Sequence, residues 1–465
     1  MLARLLALYF LLSCLPLWPQ AEYRVYNDHP RIWLDESRLL RVRRDAERNT
    51  PRWVRLRELL AQPGRLREPA LAGALAYQAG GNEAFGRTAV EWALAAAERN
   101  FSEAGDLRQG SLVFDWCQPL LNEDERAKIA AGLAAAIAAE VNASESNLLR
   151  TRDALLAAIA VSGTWPGAEE ATGKLLNQHW KTRLVPQMEA GQAADRAEEL
   201  QAALEICVAV RHNLDRDLWG ESPQAFRDVA MARILSYLPD DIETAEGRVH
   251  RPSVVPVGSD PETEAIVGRV AELTLVGFDS RSRSSQFLQG WLRSDAHTLR
   301  GVYGAPYEFL WLNPYLPGLS PTSGPQSAYD PTRGRFFARS GWGEDGLWLG
   351  FFDGALLRYD GGTLTPVEPD NRAEAIAFPG FAIALPEENA RFQAKVLEGN
   401  PAYGQFVYLL GMDDNRRYEI KIGDTTWHEY QSHGGVIPLT NAPALGLAEI
   451  NFQDDLTIRI RPSKR

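Results

Sequence analysis

The stretch Trp219-Gly220-Glu221-Ser222-Pro223-Gln224-Ala225-Phe226 is the most informative part of this 465-residue chain. It separates residues 193–211 from residues 223–238, and in both segments apolar residues recur with the spacing of amphipathic helices. Asp217 or Ser222 can accept hydrogen bonds from the free backbone N–H groups at the start of the second segment. The stretch is therefore predicted to be a short polar loop between two helices.

Paired amphipathic helices are predicted on both sides of this loop. A short break separates the two helices of each pair, as at Asn49-Thr50-Pro51 and Gly80-Gly81-Asn82. Asn122 is predicted to cap the helix that follows it, because acidic residues occupy its first turn. Hairpins that repeat every roughly 35–45 residues cannot bury their apolar faces alone, so they stack on one another. The pattern favours a solenoid or a closed α/α toroid over residues 22–312.

The sequence changes character after residue 312. Pro314, Pro317, Pro321 and Pro325 fall within residues 313–332, which we interpret as a linker. From residue 333 onward, apolar residues alternate with polar ones and are bounded by turn sequences, which is typical of β-strands. Residues 333–465 are therefore predicted to form an antiparallel β-sandwich.

The beginning of the chain has the features of an export signal. Arg4 precedes an apolar run over residues 5–17, which is shorter than a transmembrane helix requires. Residues 1–21 are predicted to be a signal peptide, so the mature chain is expected to be periplasmic or secreted, with no transmembrane helix. An alternative is a lipoprotein signal, in which Cys14 would carry the lipid.

Composition restricts the partners of the mature chain. A formal net charge of −12 argues against nucleic-acid binding. A local group of arginines can still bind an acidic sugar, because the guanidinium group suits carboxylate and sulfate. Cys117 and Cys207 lie in apolar helical segments and are expected to be buried thiols, with a disulfide between them left open.

Several segments, in this order, resemble the heparinase II/III-type and alginate-type polysaccharide lyases. They include His29-Pro30-Arg31-Ile32-Trp33-Leu34, Phe114-Asp115-Trp116, the stretch 219–226 and Arg339-Ser340-Gly341-Trp342-Gly343. The resemblance implies a multidomain chain, with an α/α toroid of helical hairpins followed by an antiparallel β-sandwich. It also implies an acidic, uronic-acid-containing polysaccharide or oligosaccharide as partner.

The resemblance implies β-elimination, but most of the residues that the family uses for it are replaced. Asn147 matches the asparagine of the family, whereas Leu148 stands where a histidine follows it. Ala225 and Phe226 stand at the tyrosine and histidine positions of the family's E-R-S-P-x-Y-H segment. Residues 355–362 contain no histidine where the family has a His-rich loop. The sequence thus leaves open whether the chain is an enzyme.

Other residues offer alternative sites. Asp217 and Glu221, with His212 nearby, are candidates for the acid–base pair of a uronide glycoside hydrolase, or for an ordinary solvated loop. Tyr303, Tyr307 and Trp311 could stack on sugars or join the two domains, and Arg150 could line an anionic cleft. No cofactor is expected. The resemblance allows zinc near His428 and His433, but no ligand set is evident.

Three interpretations of function follow from the sequence. The first is an exported protein that acts on acidic polysaccharide by elimination or, alternatively, by hydrolysis. The second is a non-catalytic relative that binds glycan or envelope components. The third is a helical scaffold for protein partners, which predicts a toroid interior filled by side chains. The oligomeric state stays open.

Overall fold

The computed structural model describes most of the chain between Tyr23 and Ser463. The described residues are 23–25, 27–62, 64–145, 147–222, 226, 229–244, 247–253, 261–293, 304–320, 322, 324–369, 376–378, 381–386, 391–394, 406–422, 426–440 and 456–463. The predicted signal peptide with Cys14, the loop residues 223–225 and Tyr303 lie outside these ranges.

The first part of the described chain is mainly helical. Its helices are α1 (Glu36–Glu47), α2 (Pro51–Leu60), α3 (Pro69–Gly80), α4 (Glu83–Glu98), α5 (Asp106–Trp116), α6 (Glu123–Val141), α7 (Leu148–Ala160), α8 (Ala168–Lys174), α9 (Val185–Glu189), α10 (Ala197–Leu214), α11 (Val229–Leu235), α12 (Pro261–Gly277), α13 (Arg283–Leu292) and α14 (Ala305–Trp311). A π-helical segment, Leu175–Leu184, connects α8 to α9.

Six of these helices pack one against the next around a common centre. Helix α3 contacts α5, α5 contacts α7, α7 contacts α10, α10 contacts α12, α12 contacts α14, and α14 returns to contact α3. Every residue of α5 is buried, which is expected of a helix that is surrounded by other helices. Helix α4 instead buries one face, formed by residues such as Ala89, Ala93 and Ala96, so it lies outside the inner set.

Local signals explain where several helices begin. Asn82 Oδ1 accepts a hydrogen bond from Ala84 N at 3.0 Å, directly after Gly81 has ended α3 with a φ of 70°. Asn122 Oδ1 accepts from Glu125 N at 2.9 Å, and the Glu125 side chain accepts from Asn122 N at 3.0 Å. This reciprocal capping box confirms the predicted N-cap at Asn122.

A β-hairpin that the sequence did not predict lies between helices α11 and α12. Strands β1 (Tyr237–Thr244) and β2 (Gly247–Pro252) pair antiparallel. The predicted helix over residues 223–238 is found as α11 followed directly by β1. Pro239 lies within β1 and cannot continue a helix, which explains why the helix ends before it.

The described residues of the second part of the chain form three sheets. Their strands are β3 (Ser327–Asp330), β4 (Arg335–Arg339), β5 (Trp348–Phe352), β6 (Ala355–Asp360), β7 (Thr363–Val367), β8 (Ile376–Phe378), β9 (Phe381–Ala384), β10 (Arg391–Ala394), β11 (Phe406–Leu409), β12 (Arg417–Ile422), β13 (His428–Gln431), β14 (Ile437–Thr440) and β15 (Leu456–Pro462). The strand orders are β3-β4-β5-β6-β7, β14-β11-β9-β8 and β10-β15-β12-β13. All pairs are antiparallel except β9 with β11, which is parallel.

The three sheets lie in layers. Strand β9 shows the order, because Ala382 and Ala384 pack with the sheet that contains β12 and β15, whereas Phe381 and Ile383 pack with the sheet that contains β4 and β5. The sheet containing β9 is therefore the middle layer. The sequence predicted a helical part followed by β-strands, and this order is confirmed. The predicted β-sandwich would have two layers of sheet, whereas the described residues form three.

The helical part and the first sheet share a packed interface. Phe337, Trp348 and Tyr359 form a cluster with Leu235 and Leu238. Polar contacts reinforce the cluster: Trp348 Nε1 donates to the Leu235 carbonyl at 2.8 Å. The strand-rich part is thus anchored on the hairpin and on α11.

Candidate functional site

A buried network of charged side chains occupies the space between the inner helices. Arg108, on α5, donates two hydrogen bonds to Glu205, on α10, at 2.7 and 3.2 Å. Arg152, on α7, donates to the same carboxylate at 3.2 Å, and Gln201 Nε2 donates at 2.9 Å. Glu205 is 0% exposed and Arg108 is 2% exposed. One carboxylate therefore links three inner helices.

Tyr307 extends the network to α14. Its hydroxyl accepts a hydrogen bond from Arg108 Nη1 at 2.7 Å and donates to the Glu68 carboxylate, and the Arg269 guanidinium lies 4.2 Å from the ring centroid. Burial raises the pKa of Tyr307 well above its ordinary value, so the phenol stays protonated.

Charge within the network is balanced. Arg108, Arg152 and Arg269 supply three positive charges, while Glu68, Asp153 and Glu205 supply three negative ones. Burial opposes the ionised form of Arg108, but Glu205 and Glu68 outweigh it and raise the pKa of Arg108. Paired buried charges of this kind hold elements in register. The network is therefore structural. Of its residues, Tyr307 was among the site residues predicted from the sequence, whereas Glu68, Arg108 and Glu205 were not.

A cleft with excess positive charge lies beside helix α1. Its volume is about 540 Å³, which is within the usual range for small-ligand sites. We call it the arginine cleft and define it by the lining residues Asp35, Arg38, Arg41, Arg44, His212, Gln289, Trp311, Asn313 and Tyr315, with Leu40, Leu275, Val276 and others between them.

Helix α1 places the three arginines on one face. Asp35 caps the helix by accepting a hydrogen bond from Arg38 N at 2.8 Å. Residues three apart lie on nearly the same side of an α-helix, so successive arginines are separated by about 4.5 Å along its axis. Asp35 is the carboxylate that lines the cleft, and its Oδ2 lies 3.4 Å from Arg38.

The positive charge of Arg41 and Arg44 is not matched by a carboxylate within the cleft. Arg41 donates to the Leu310 carbonyl, and burial, together with repulsion from Arg38 and Arg52, lowers its pKa to about 9. Arg44 is exposed. Like charges held this close are stabilised by an anion placed among them.

Buried polar atoms without a hydrogen-bond partner are concentrated at this cleft. Among the described residues they include Arg41 Nε, His212 Nδ1, Gln289 Oε1 and Trp311 Nε1. Most buried polar groups in proteins have partners, so a cluster of unpartnered ones indicates a place that a ligand or solvent completes. Burial lowers the pKa of His212 to about 4, so its imidazole is neutral at pH 7.

Aromatic rings join the arginine cleft to the interior network. Arg38 lies 4.9 Å from the Trp311 ring centroid, and Trp311 packs edge-to-face on Trp33 at 5.3 Å. The Arg108 guanidinium lies 5.2 Å from the centroid of the Trp33 ring. The floor of the cleft is therefore supported by the same residues that hold the inner helices together.

The structure brings two of the predicted site residues together in the arginine cleft and places the others elsewhere. His212 and Trp311 line it. Tyr307 is 2% exposed and belongs to the interior network. Tyr303 lies outside the described residues.

The predicted acid–base pair is engaged in ion pairs outside the cleft. Asp217 is exposed and accepts from Arg211 at 2.9 Å. Glu221 accepts from Arg216 at 3.2 Å and from Trp180 Nε1 at 3.2 Å. Each carboxylate therefore already has a cationic partner.

The remaining predicted residues lie at the start of helix α7. Asn147 caps this helix by accepting a hydrogen bond from Arg150 N at 2.9 Å. Arg150 is exposed and pairs with Glu140 at 2.8 Å. Both residues have a local role that the structure explains without a ligand.

Within the described ranges, no group of three or more His, Cys, Asp or Glu side chains is arranged to hold a metal ion. No described helix is both long and apolar enough to cross a membrane. Cys117 and Cys207 are free and buried, and burial raises the pKa of the Cys117 thiol to about 12.

Comparison with known proteins gives limited information. No family model matches the sequence, and no curated protein matches it. Among solved structures, the chain is similar to a mutant of heparan sulfate lyase HepC from Pedobacter heparinus, with 16% sequence identity and a TM-score of 0.35. The match covers 64% of this chain and 47% of that one, so it spans about half the length of the lyase. A similarity this weak supports neither a family assignment nor an activity.

Proposed function

We propose that this chain is an acidic-polysaccharide-binding protein and that the arginine cleft holds the anionic groups of the glycan. The observation that carries the proposal is the positive charge of Arg41 and Arg44, which form no ion pair with a described residue, beside five unpartnered buried polar atoms of the lining residues. Uronate and sulfate groups supply the missing negative charge, and guanidinium groups bind both with paired hydrogen bonds.

The rest of the cleft suits a sugar ring. Tyr315 is 52% exposed, and its ring presents an apolar face next to the arginines. Asn313 and Gln289 add amide groups that can donate to and accept from hydroxyls. Since the chain as a whole carries a net charge of −12, the cleft is a local exception suited to a short anionic segment of polymer.

We further propose the finer architecture, an α/α toroid joined to a β-sandwich. Support for the toroid comes from the return of α14 to α3 after the series of inner helices. The interior of this ring is filled by the Arg108–Glu205 network. A filled interior leaves no central channel for a polymer, which argues against a lyase or a hydrolase. It is also what the helical-scaffold interpretation expects, so the glycan-binding proposal depends on the arginine cleft and not on the interior.

Binding to acidic polysaccharides tests the proposal directly. The full mature chain is titrated with heparin, hyaluronan, alginate and polygalacturonate, and the dissociation constants are compared with those of the double variant Arg41→Ala/Arg44→Ala. Each charge-assisted contact contributes about 1.5–3 kcal/mol, so at least about tenfold weaker binding is expected. Binding should also weaken as salt is added.

A matched control removes the same number of charges outside the cleft. Arg150→Ala/Arg196→Ala deletes two exposed arginines that are paired with Glu140 and Glu199 at 2.8 and 2.7 Å. This variant should bind acidic polysaccharide like the wild type. Equal loss of binding in both double variants would indicate a nonspecific charge effect, and unchanged binding in the cleft variant would refute the assignment.

Catalysis is tested separately. Absorbance near 235 nm reports the unsaturated uronates that elimination produces, and reducing-end release reports hydrolysis. We expect no change with either measurement on the same four polysaccharides. Export is proposed as well, and sequencing the N-terminus of the mature protein would test it, since cleavage after residue 21 and lipid attachment at Cys14 give different products.

A further inference from the structure

A second cleft lies on the other side of helix α1. Its volume is about 840 Å³, and we call it the mixed-charge cleft, defined by Arg43, Glu47, Trp53, Arg57, Tyr77 and Glu83. Helix α1 separates the two clefts, because Arg41 and Arg44 line one while Arg43 and Glu47 line the other.

Both positive and negative side chains line the mixed-charge cleft. Arg43 and Arg57 face it together with Glu47 and Glu83, and all four are exposed. Within the described chain, Arg57, Glu47 and Glu83 form no ion pair. Their guanidinium and carboxylate groups are therefore available as hydrogen-bond donors and acceptors. The two arginines and two glutamates carry no net charge between them, and the further carboxylate of the cleft, Asp115, is paired with His29 and Arg31.

Aromatic side chains form the apolar part of this cleft. Trp53 is 5% exposed and packs under Gly80, while Tyr77 and Phe85 are half-buried. No described residue hydrogen-bonds to the Tyr77 hydroxyl. An aromatic wall with an unpartnered hydroxyl matches a ring that is apolar on one face and polar at its edges.

The remaining polar pair in this cleft has a structural role. His29 Nδ1 lies 2.5 Å from Asp115 Oδ1, and Asp115 Oδ2 also accepts from Ile32 N at 2.7 Å and from Arg31 N at 3.0 Å. Asp115 thus fastens the segment before α1 to helix α5. His29 Nε2 is occupied by Arg31 as well, so neither group is free to bind a ligand.

From this geometry we infer that the mixed-charge cleft binds an uncharged saccharide. Each sugar hydroxyl both donates and accepts a hydrogen bond, so neighbouring hydroxyls are matched by a carboxylate and a guanidinium side by side. An acidic sugar would meet Glu47 and Glu83, and a basic one would meet Arg43 and Arg57. The two clefts therefore differ in ligand class, and this inference does not rest on the function proposed for the arginine cleft.

Affinity electrophoresis with neutral polysaccharides tests the inference. The full mature chain is run through gels that contain hydroxyethylcellulose, arabinoxylan or galactomannan, each with and without added salt. At least one of the three should retard the protein, and salt should leave the retardation unchanged because no net charge is involved. Absence of retardation by all three overturns the proposal.

Variants assign the retardation to the cleft. Glu47→Ala/Arg57→Ala removes two exposed side chains without changing the net charge. Because hydrogen bonds to the sugar are lost, the affinity for neutral polysaccharide should fall at least about fivefold. Glu98→Ala/Lys128→Ala is the matched control, since it removes an exposed pair of opposite charge at 2.8 Å. Retardation that persists in the cleft variant, or falls equally in the control, overturns the assignment.

Arg41→Ala/Arg44→Ala separates this inference from the proposed function. That variant should lose heparin binding and keep its retardation by neutral polysaccharide. If neutral polysaccharide binding fell in it as well, the mixed-charge cleft would not be an independent site.

Discussion

The interior network and the arginine cleft both contain three arginines, yet they differ in how the charge is matched. In the interior, Arg108 and Arg152 share Glu205, and the charge of Arg269 favours the ionised form of Glu68. In the cleft, Asp35 faces three arginines. The paired charges of the interior network hold helices together, whereas the excess positive charge of the arginine cleft is suited to an anionic ligand.

Accessibility separates the two regions in the same way. Glu205 and Tyr307 are 0% and 2% exposed, so no polymer can reach them without unfolding the inner helices. Arg44 and Tyr315 are exposed. Composition alone does not distinguish buried, paired charges from exposed, unpaired ones. Variants in the interior network should lower stability, whereas variants in the arginine cleft should lower glycan affinity.

Glu205→Gln should have the largest effect on stability. It removes the carboxylate that serves both Arg108 and Arg152, which leaves buried positive charge without compensation. Loss of one partner from a buried ion pair costs about 3–5 kcal/mol, and chemical denaturation of the full chain would measure this change in the free energy of unfolding.

Glu98→Gln provides the comparison for Glu205→Gln. Glu98 pairs with Lys128 on the surface at 2.8 Å, and surface pairs contribute little. Its stability should stay at the wild-type value. If the free energy of unfolding fell by a similar amount in the two variants, the interior network would not hold the inner helices together, and the contrast between the two regions would disappear.

The pH dependence of heparin binding should report the arginine cleft. Arg41 has a pKa of about 9, below its ordinary value of 12.5, because of its burial first and then Arg38 and Arg52. Its charge is present below that pH and is lost as the pH rises through 9, so affinity should fall by up to about tenfold between pH 8 and pH 10.

Between pH 5 and pH 8 the affinity should be constant. His212 has a pKa of about 4, lowered mainly by burial, so it stays neutral throughout that range. Isothermal titration calorimetry at several pH values would check both parts. A step near pH 6.5 would mean that His212 gains its charge in the complex, and Arg41→Ala should abolish the fall above pH 8.

The sequence predicted the helices well because their signals are local. Asn82 and Asn122 start helices through their own side chains, and the Gly80-Gly81 turn needs no distant partner. The hairpin of β1 and β2 was missed, since Leu238 packs against Phe337 and Trp348, about a hundred residues away in the sequence. The third sheet was missed for the same reason.

The site was predicted less well than the fold. His212 and Trp311 lie far apart in the sequence, and the arginines of α1 were not predicted as site residues. Whether these arginines can bind an anion depends on whether carboxylates lie next to them, and tertiary packing decides that. Glu205 did carry a signal, because it is a charged residue within the apolar run of α10, where an unpaired charge is costly.

Tyr307→Phe should have a moderate effect that is confined to stability. It deletes the hydroxyl that accepts from Arg108 and donates to Glu68, while both of those groups keep one another as partners. The expected loss is about 1–2 kcal/mol, measured by denaturation. The sequence allowed Tyr307 either to stack on sugars or to join the two domains, and weaker heparin binding by this variant would contradict its place in the interior network.

Asn147→Ala should have the smallest effect. Removing an N-cap costs about 1 kcal/mol, so the free energy of unfolding should fall slightly while heparin affinity stays unchanged. Asn147→Ser is the informative companion, because serine caps α7 equally well but lacks the amide that the lyase resemblance would use to neutralise a uronate. If Asn147 only caps the helix, the serine variant recovers stability and both variants bind normally. If Asn147 contacts the glycan, both variants lose affinity although only the alanine variant loses stability, and the binding site would then extend from the arginine cleft to the start of α7.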